Sequence, residues 1–179
     1  MSPLELENER IKELEKSGLL ELVGALPEVD KLLADLARHY GVAHASVDLL
    51  TRNREIYLSK YGFSRNETIY DSAILMSFNS ALVARRLPVI VLNCREQTNL
   101  SMLSYVQNGE VAFMASCALR SKSGFALGSV TIEDPEPKDA FSNQDVQLLI
   151  ETTDEIALIL GLPKTSEFLL QSKIKGSGL

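Results

Sequence analysis

Two thiols and two imidazoles are the first groups in this chain that could carry chemistry: Cys94, Cys117, His39 and His44. No CxxC pair occurs, which excludes a cysteine zinc knuckle, and two cysteines do not make a disulfide scaffold. A nucleophilic thiol needs a lowered pKa, hence a cationic or hydrogen-bonding neighbourhood. Cys94 has such a neighbour in Arg95, at the end of a predicted strand. Cys117 lies mid-strand near Ala and Leu and reads as a small buried hydrophobe. His39 and His44 sit close together near a helix end and read as surface polar residues rather than a metal pair. The run Glu133-Asp134-Pro135-Glu136 lacks the ligand spacing of a calcium loop and reads as a solvated turn. No Ser-His-Asp set, Gly-rich phosphate loop, HExxH, kinase or cyclase signature is present. The sequence therefore assigns no catalytic residue, no metal site and no cofactor.

The elements that must position any site follow from periodicity and punctuation. Ser2-Pro3-Leu4-Glu5 has the form of a capped helix start, with Leu4, Ile11 and Leu14 as a sparse apolar stripe and Gly18 as the stop. Pro27 opens a stronger helix, in which Val29, Leu32, Leu33, Leu36, Ala37 and Tyr40 share a face up to Gly41. Ala43–Leu50 and Ile56–Tyr61 predict a hairpin, and residues 64–72 a polar loop. A short helix is expected over Ser77–Arg86, with Arg85-Arg86 as its solvated end, then a buried strand at Val89–Leu92 and one or two helical turns between Leu100 and Val106. Phe113–Asp134 predicts a second hairpin around Ser123-Gly124, with Gly128 marking a bulge or a close backbone approach. Ser142 and Asp145 form a capping-box-like start, Phe141 and Val146 a hydrophobic staple, and Val146, Leu149, Ile150, Ile156, Ala157, Ile159 and Leu160 the buried face of the last helix. Hairpins imply antiparallel pairing and the helices must cover the sheet, so the fold class is α+β.

The charge of −6, from 18 basic and 24 acidic residues, disfavours a phosphate-backbone binder. No apolar run approaches the ~20 residues of a membrane span, and the start MSPLELENER lacks the basic and apolar regions of a signal peptide. The expectation is a cytoplasmic, reduced protein without nucleic-acid or membrane partners.

The order of elements from about Leu26 to Leu160 resembles a GAF domain. Three segments carry the likeness: "ERIKELEKSGLL" upstream, "SFNSALVARRLPVIVLN" in the middle, and the hairpin with its closing helix at the end. The resemblance implies a central antiparallel sheet, terminal helices on one face, and short helices and loops roofing a pocket on the other. It divides the chain into an N-terminal helix and connector (1–25), a GAF-like domain (26–162) and a partly flexible C-terminal extension (163–179). Departures from the family pattern narrow the ligand. Where cyclic-nucleotide members carry Asn-Lys, this chain has Glu133 and Asp134, which would repel a phosphate. The Cys and His positions of the middle motif hold Asn79 and Ala81, which removes the setting of a covalent bilin.

What the resemblance implies is a non-enzymatic sensory or regulatory domain that binds a small molecule and signals through its terminal helices. The pocket-side candidates are Ser77, Asn79, Arg95, Ser116 and Thr131, with Arg95 able to pair with an anionic ligand. Two alternatives stay open. One is a ligand-free interaction module, a homodimer through the terminal helices with Leu4, Ile11 and Leu14 as its face. The other is a thiol-dependent methionine sulfoxide reductase, an activity one GAF family has. A signalling protein partner is expected in trans, unless the chain is a piece of a longer signalling protein.

Overall fold

The computed structural model describes residues 2–69 and 87–169. Their architecture is α+β, built on one six-stranded sheet of order β3-β2-β1-β6-β5-β4. The strands are β1 (His44–Leu50), β2 (Arg54–Tyr61), β3 (Glu67–Ile69), β4 (Val89–Val91), β5 (Phe113–Arg120) and β6 (Ala126–Asp134). Every neighbouring pair is antiparallel. The longer helices are α1 (Pro3–Lys16), α2 (Pro27–Tyr40) and α4 (Asn143–Ile159); α3 (Ser104–Gln107) is a single turn after 3₁₀ turns at Cys94–Glu96 and Leu100–Met102.

Local chemistry sets the helix ends as expected. Ser2 and Glu5 close a capping box on α1, and Ser142 and Asp145 close one on α4. Gly41 ends α2 in the left-handed conformation. The polar segment expected to be a loop contains β3, which pairs Glu67–Ile69 with Arg54–Ile56. Three residues are too few to show an alternation. The strand forms because β2 starts early, at Arg54, and the Arg54 guanidinium meets Glu67 3.0 Å away across the ladder.

Strand side chains alternate between faces. Ala45, Val47 and Leu49 of β1, Phe113, Ala115, Cys117 and Leu119 of β5, and Val130 and Ile132 of β6 enter one core with Leu33 and Leu36 of α2 and Leu149 and Ile156 of α4. A bulge in β2 serves this core: Val47 pairs with Ser59 and Asp48 with Tyr57, skipping Leu58. Leu58 joins the core, Ser59 hydrogen-bonds Asp30 of α2, and Tyr57 turns to the opposite face.

Helix α1 is part of this body. Leu14 and Leu19 are buried in the main core, so Leu14 is not available as an interface residue. Arg10 is buried too; its Nη1 donates to the carbonyls of Leu50 (2.7 Å) and Ala126 (3.1 Å) while its Nε and Nη2 hold Glu7. The start of the C-terminal segment is also docked: Thr165 Oγ1 donates to the Ala118 carbonyl at 2.7 Å, and the Ser166 amide donates to Asp154 at 3.0 Å.

Candidate functional site

The alternation that fills the core leaves a row of polar side chains on the other face of the sheet. β1 contributes Ser46 and Asp48, β6 contributes Ser129, Thr131 and Glu133, and β5 contributes Ser116. Register sets them side by side: Asp48 opposite Ser129, Ser116 and Ser46 both opposite Thr131, and Glu133 between His44 and Met114. Gly128 lets β1 and β6 close. A Cβ there would stand 2.0 Å from the Asp48 carbonyl oxygen, which is the close approach its place in the strand predicts.

Hydrogen bonds link Asp48, Ser129, Thr131 and Ser116 across the three strands. Ser129 Oγ lies 2.8 and 2.9 Å from the two carboxyl oxygens of Asp48. Thr131 Oγ1 is 3.1 Å from Ser129 Oγ, 3.4 Å from Asp48 Oδ2 and 2.8 Å from Ser116 Oγ. Apolar groups flank it toward β4, where Val89, Ala118, Leu50 and Ala126 pack together. Met114 closes one end with Cys94, Leu100, Leu103, Val106 and Val111.

Two carboxyls on this face hold their protons unusually tightly. Burial, aided by the nearby Glu55 charge, pushes Asp48 well above the carboxylate range, with the Ser129 and Thr131 hydroxyls opposing it. Burial raises Glu133 to about 7, although the Arg65 guanidinium beside it pulls the other way. A protonated Asp48 can donate a hydrogen bond as well as accept one. Tyr57, which is buried, and Tyr105, which is partly buried, are raised as well, chiefly by desolvation. A face of hydroxyls and two carboxyls, one of them part-ionised at neutral pH, suits a ligand rich in donors or bearing a cation. It does not suit a phosphate.

The sequence-derived candidates divide. Ser116 and Thr131 are buried and in contact. Arg95 stands apart at an exposed 3₁₀ turn, where its Nη2 donates to the Pro135 carbonyl at 2.8 Å; among the described residues no hydrogen bond joins it to the row. It lines a shallow, open depression of about 490 Å³ with Ser101, Gln107 and Asn108. Ser77 and Asn79, the expected helix over Ser77–Arg86 and the Arg85-Arg86 pair lie outside the described residues. Asp48, Ser129 and Glu133 went unrecognised in the sequence. The signal was there: "SVD" and "SVTIE" alternate polar and apolar residues, and the same period that identified the strands identifies these three as sharing a face with Thr131.

Two further expectations need correcting. The acidic run is a solvated turn only at its exposed end, Glu136; Asp134 is buried, its carboxylate accepting the Ala43 and Glu136 amides, each at 2.9 Å, and Glu133 faces the row. Cys94 is buried and its thiol pushed up to about 11, mainly by desolvation; Cys117 rises to about 12 for the same reason. Arg95 does not activate Cys94, because its guanidinium is turned to Pro135. Among the described residues no group of three or more His, Cys, Asp and Glu could hold a metal, and no helix is long and apolar enough to cross a membrane.

No family model and no curated protein matches the sequence. Solved structures do match the fold. The GAF domain of an Acinetobacter phosphoenolpyruvate-protein phosphotransferase is 12% identical with a TM-score of 0.56, over 90% of this chain and 95% of that one. The blue-light absorbing form of the Thermosynechococcus elongatus PixJ GAF domain is 11% identical with a TM-score of 0.57, over 91% and 94%. A type II free methionine-R-sulfoxide reductase from Thermoplasma acidophilum is 14% identical with a TM-score of 0.56, over 74% and 89%. The chain has a GAF-like fold, and identities this low carry the fold alone.

Proposed function

We propose that this chain is a sensory or regulatory domain that binds a small, uncharged or cationic polar molecule on the face formed by Asp48, Ser116, Ser129, Thr131 and Glu133. One observation carries the reading: an unbroken hydrogen-bonded row of polar side chains crosses β1, β6 and β5 on the face opposite the helix-packed core. A sheet face needed only for packing would be cheaper to fill with apolar residues, as β4 and its neighbours do. Ser116, Ser129 and Thr131 supply hydroxyls that donate or accept, and Asp48 supplies a carboxyl whose proton burial helps to hold. GAF domains of a phosphotransferase and a photoreceptor share the fold, which supports a regulatory role. Glu133 disfavours cyclic nucleotides by occupying the face with a titratable acid.

A thermal-shift panel tests this. Small ammonium and guanidinium compounds and neutral polyols should include binders that raise Tm, while cyclic AMP and cyclic GMP should not. The double substitution Ser116→Ala with Thr131→Val should abolish the shift. Binders whose shift survives that double change would refute the assignment.

A second reading, homodimerisation through the terminal helices, has its own observation: Leu4, Leu6 and Leu158 are exposed large apolar residues on α1 and α4. Leu4→Asp with Leu158→Asp should reduce the mass measured by light scattering. An unchanged mass removes these residues from any interface. The thiol-reductase reading draws no support from the geometry, because both thiols are buried and held protonated.

A further inference from the structure

Residues 62–66 leave the sheet after β2 and return to it as β3. Gly62, at φ +88°, turns the chain so tightly against the start of β1 that a Cβ would stand 2.0 Å from the Ala43 carbonyl oxygen. The Lys60 ammonium then holds the loop from outside, donating to the Ser64 carbonyl (2.6 Å), the Arg65 carbonyl (2.8 Å) and Asn66 Oδ1 (2.6 Å), one acceptor for each of its protons. The Asn66 carbonyl accepts the Tyr57 amide at 3.0 Å.

This anchoring aims Arg65 across the polar face. Its guanidinium carbon lies 4.6 Å from the centre of the Phe63 ring and 5.4 Å from that of Tyr57. Its Nε is 3.3 Å from both Tyr57 Oη and Thr68 Oγ1. Its terminal nitrogens reach Glu110 at 3.9 Å, on the connection before β5, and Glu133 at 4.0 Å, on β6. One side chain thus links the β2–β3 end of the sheet to its β5–β6 half.

We infer that residues 62–66 form a strap over the Glu133 end of the polar row, latched by Arg65, and that releasing Arg65 opens this end to water or to a ligand. The two kinds of attachment differ in strength. The Lys60 bonds are short and directed at backbone carbonyls and an amide oxygen. The Arg65 ion pairs lie beyond hydrogen-bond distance, its two 3.3 Å Nε contacts share one proton, and the side chain is 34% exposed. Arg65 is therefore the attachment that releases first, and with it gone the loop keeps only its Lys60 and Tyr57 bonds and moves more freely. Glu133, raised by burial despite its cationic neighbour, would gain most from the opening. The gating role rests on the ligand reading above; the latch does not.

Hydrogen exchange by mass spectrometry and a carboxyl NMR titration, both without ligand, test the latch in Arg65→Ala and Arg65→Gln. Amides of residues 62–68 should exchange at least about 10-fold faster than in the unsubstituted protein, while those of Ala115–Leu119 stay protected and report an intact fold. The Glu133 pKa should fall below about 7, because water reaches it. An Arg65 that served only as a charge partner would give the opposite sign, a higher Glu133 pKa. Unchanged exchange at 62–68, or a rise in that pKa, overturns the inference. Failure of the ligand reading leaves this result standing, and failure of the latch leaves the polar row intact.

Discussion

Replacing Glu133 with Gln should make the protein more stable, and only above mildly acidic pH. The fold holds the Glu133 proton with a pKa of about 7 against an ordinary value of 4.5. At about 1.4 kcal/mol for each tenfold change in proton affinity, ionised Glu133 costs the native state about 3 kcal/mol. The sign follows from linkage. A carboxyl with a raised native pKa binds more protons in the native state than in the unfolded chain, so stability falls as pH rises. The loss begins near pH 4.5 and is complete above about pH 7. Its side chain is only 15% exposed, so water screens little of this. Glu133→Gln keeps the neutral shape without the charge. It also relieves Asp48, whose proton is held partly by the Glu133 charge. Urea unfolding followed by far-ultraviolet circular dichroism at pH 4.5, 6, 7 and 8 measures the difference. Near-equal stabilities at pH 4.5 and a gain of about 3 kcal/mol for the variant at pH 8 are expected. A variant that is less stable at pH 8, or a difference that does not vary with pH, would refute the placement of Glu133 in a desolvated site.

Two further substitutions test how the frame is held. Arg10→Ala leaves the buried carbonyls of Leu50 and Ala126 without their charged donor. It should cost about 3 kcal/mol in urea unfolding and free α1 to exchange its amides. Gly128→Ala drives a methyl into the Asp48 carbonyl, which belongs to the neighbouring strand and cannot move aside. The loss should exceed about 2 kcal/mol, read from the same unfolding midpoint.

The framework was legible because its signals are local. Ser2 with Glu5 and Ser142 with Asp145 state helix starts within four residues, and Gly41 and Gly161 mark helix ends. The hairpin across Ser123-Gly124 needed only two apolar runs and a turn. β3 was not legible, because Glu67, Thr68 and Ile69 become a strand only when β2 offers its edge. Arg10 carried no signal of its own in the sequence. Its burial depends on carbonyls that lie 40 and 116 residues away in the chain. The site was legible in part. Ser116 and Thr131 were singled out as polar residues on pocket-side strands, and register alone brings them within 2.8 Å. Asp48 and Glu133 were legible as strand residues, but the acidity of a carboxyl depends on what surrounds it in three dimensions. Arg95 was chosen for its charge and its strand-end position, and the 3₁₀ turn at Cys94–Glu96 directs that charge to Pro135 instead.

The polar row as a ligand face is tested most directly by amide and methyl chemical-shift mapping. The labelled protein is titrated with whichever ammonium, guanidinium or polyol compound raises Tm. Shifts that cluster at Asp48, Ser116, Ser129, Thr131 and Glu133, and vanish in the Ser116→Ala, Thr131→Val protein, are the predicted result. Shifts confined to the depression around Arg95 and Asn108, or spread over the exposed face of α1, would contradict it.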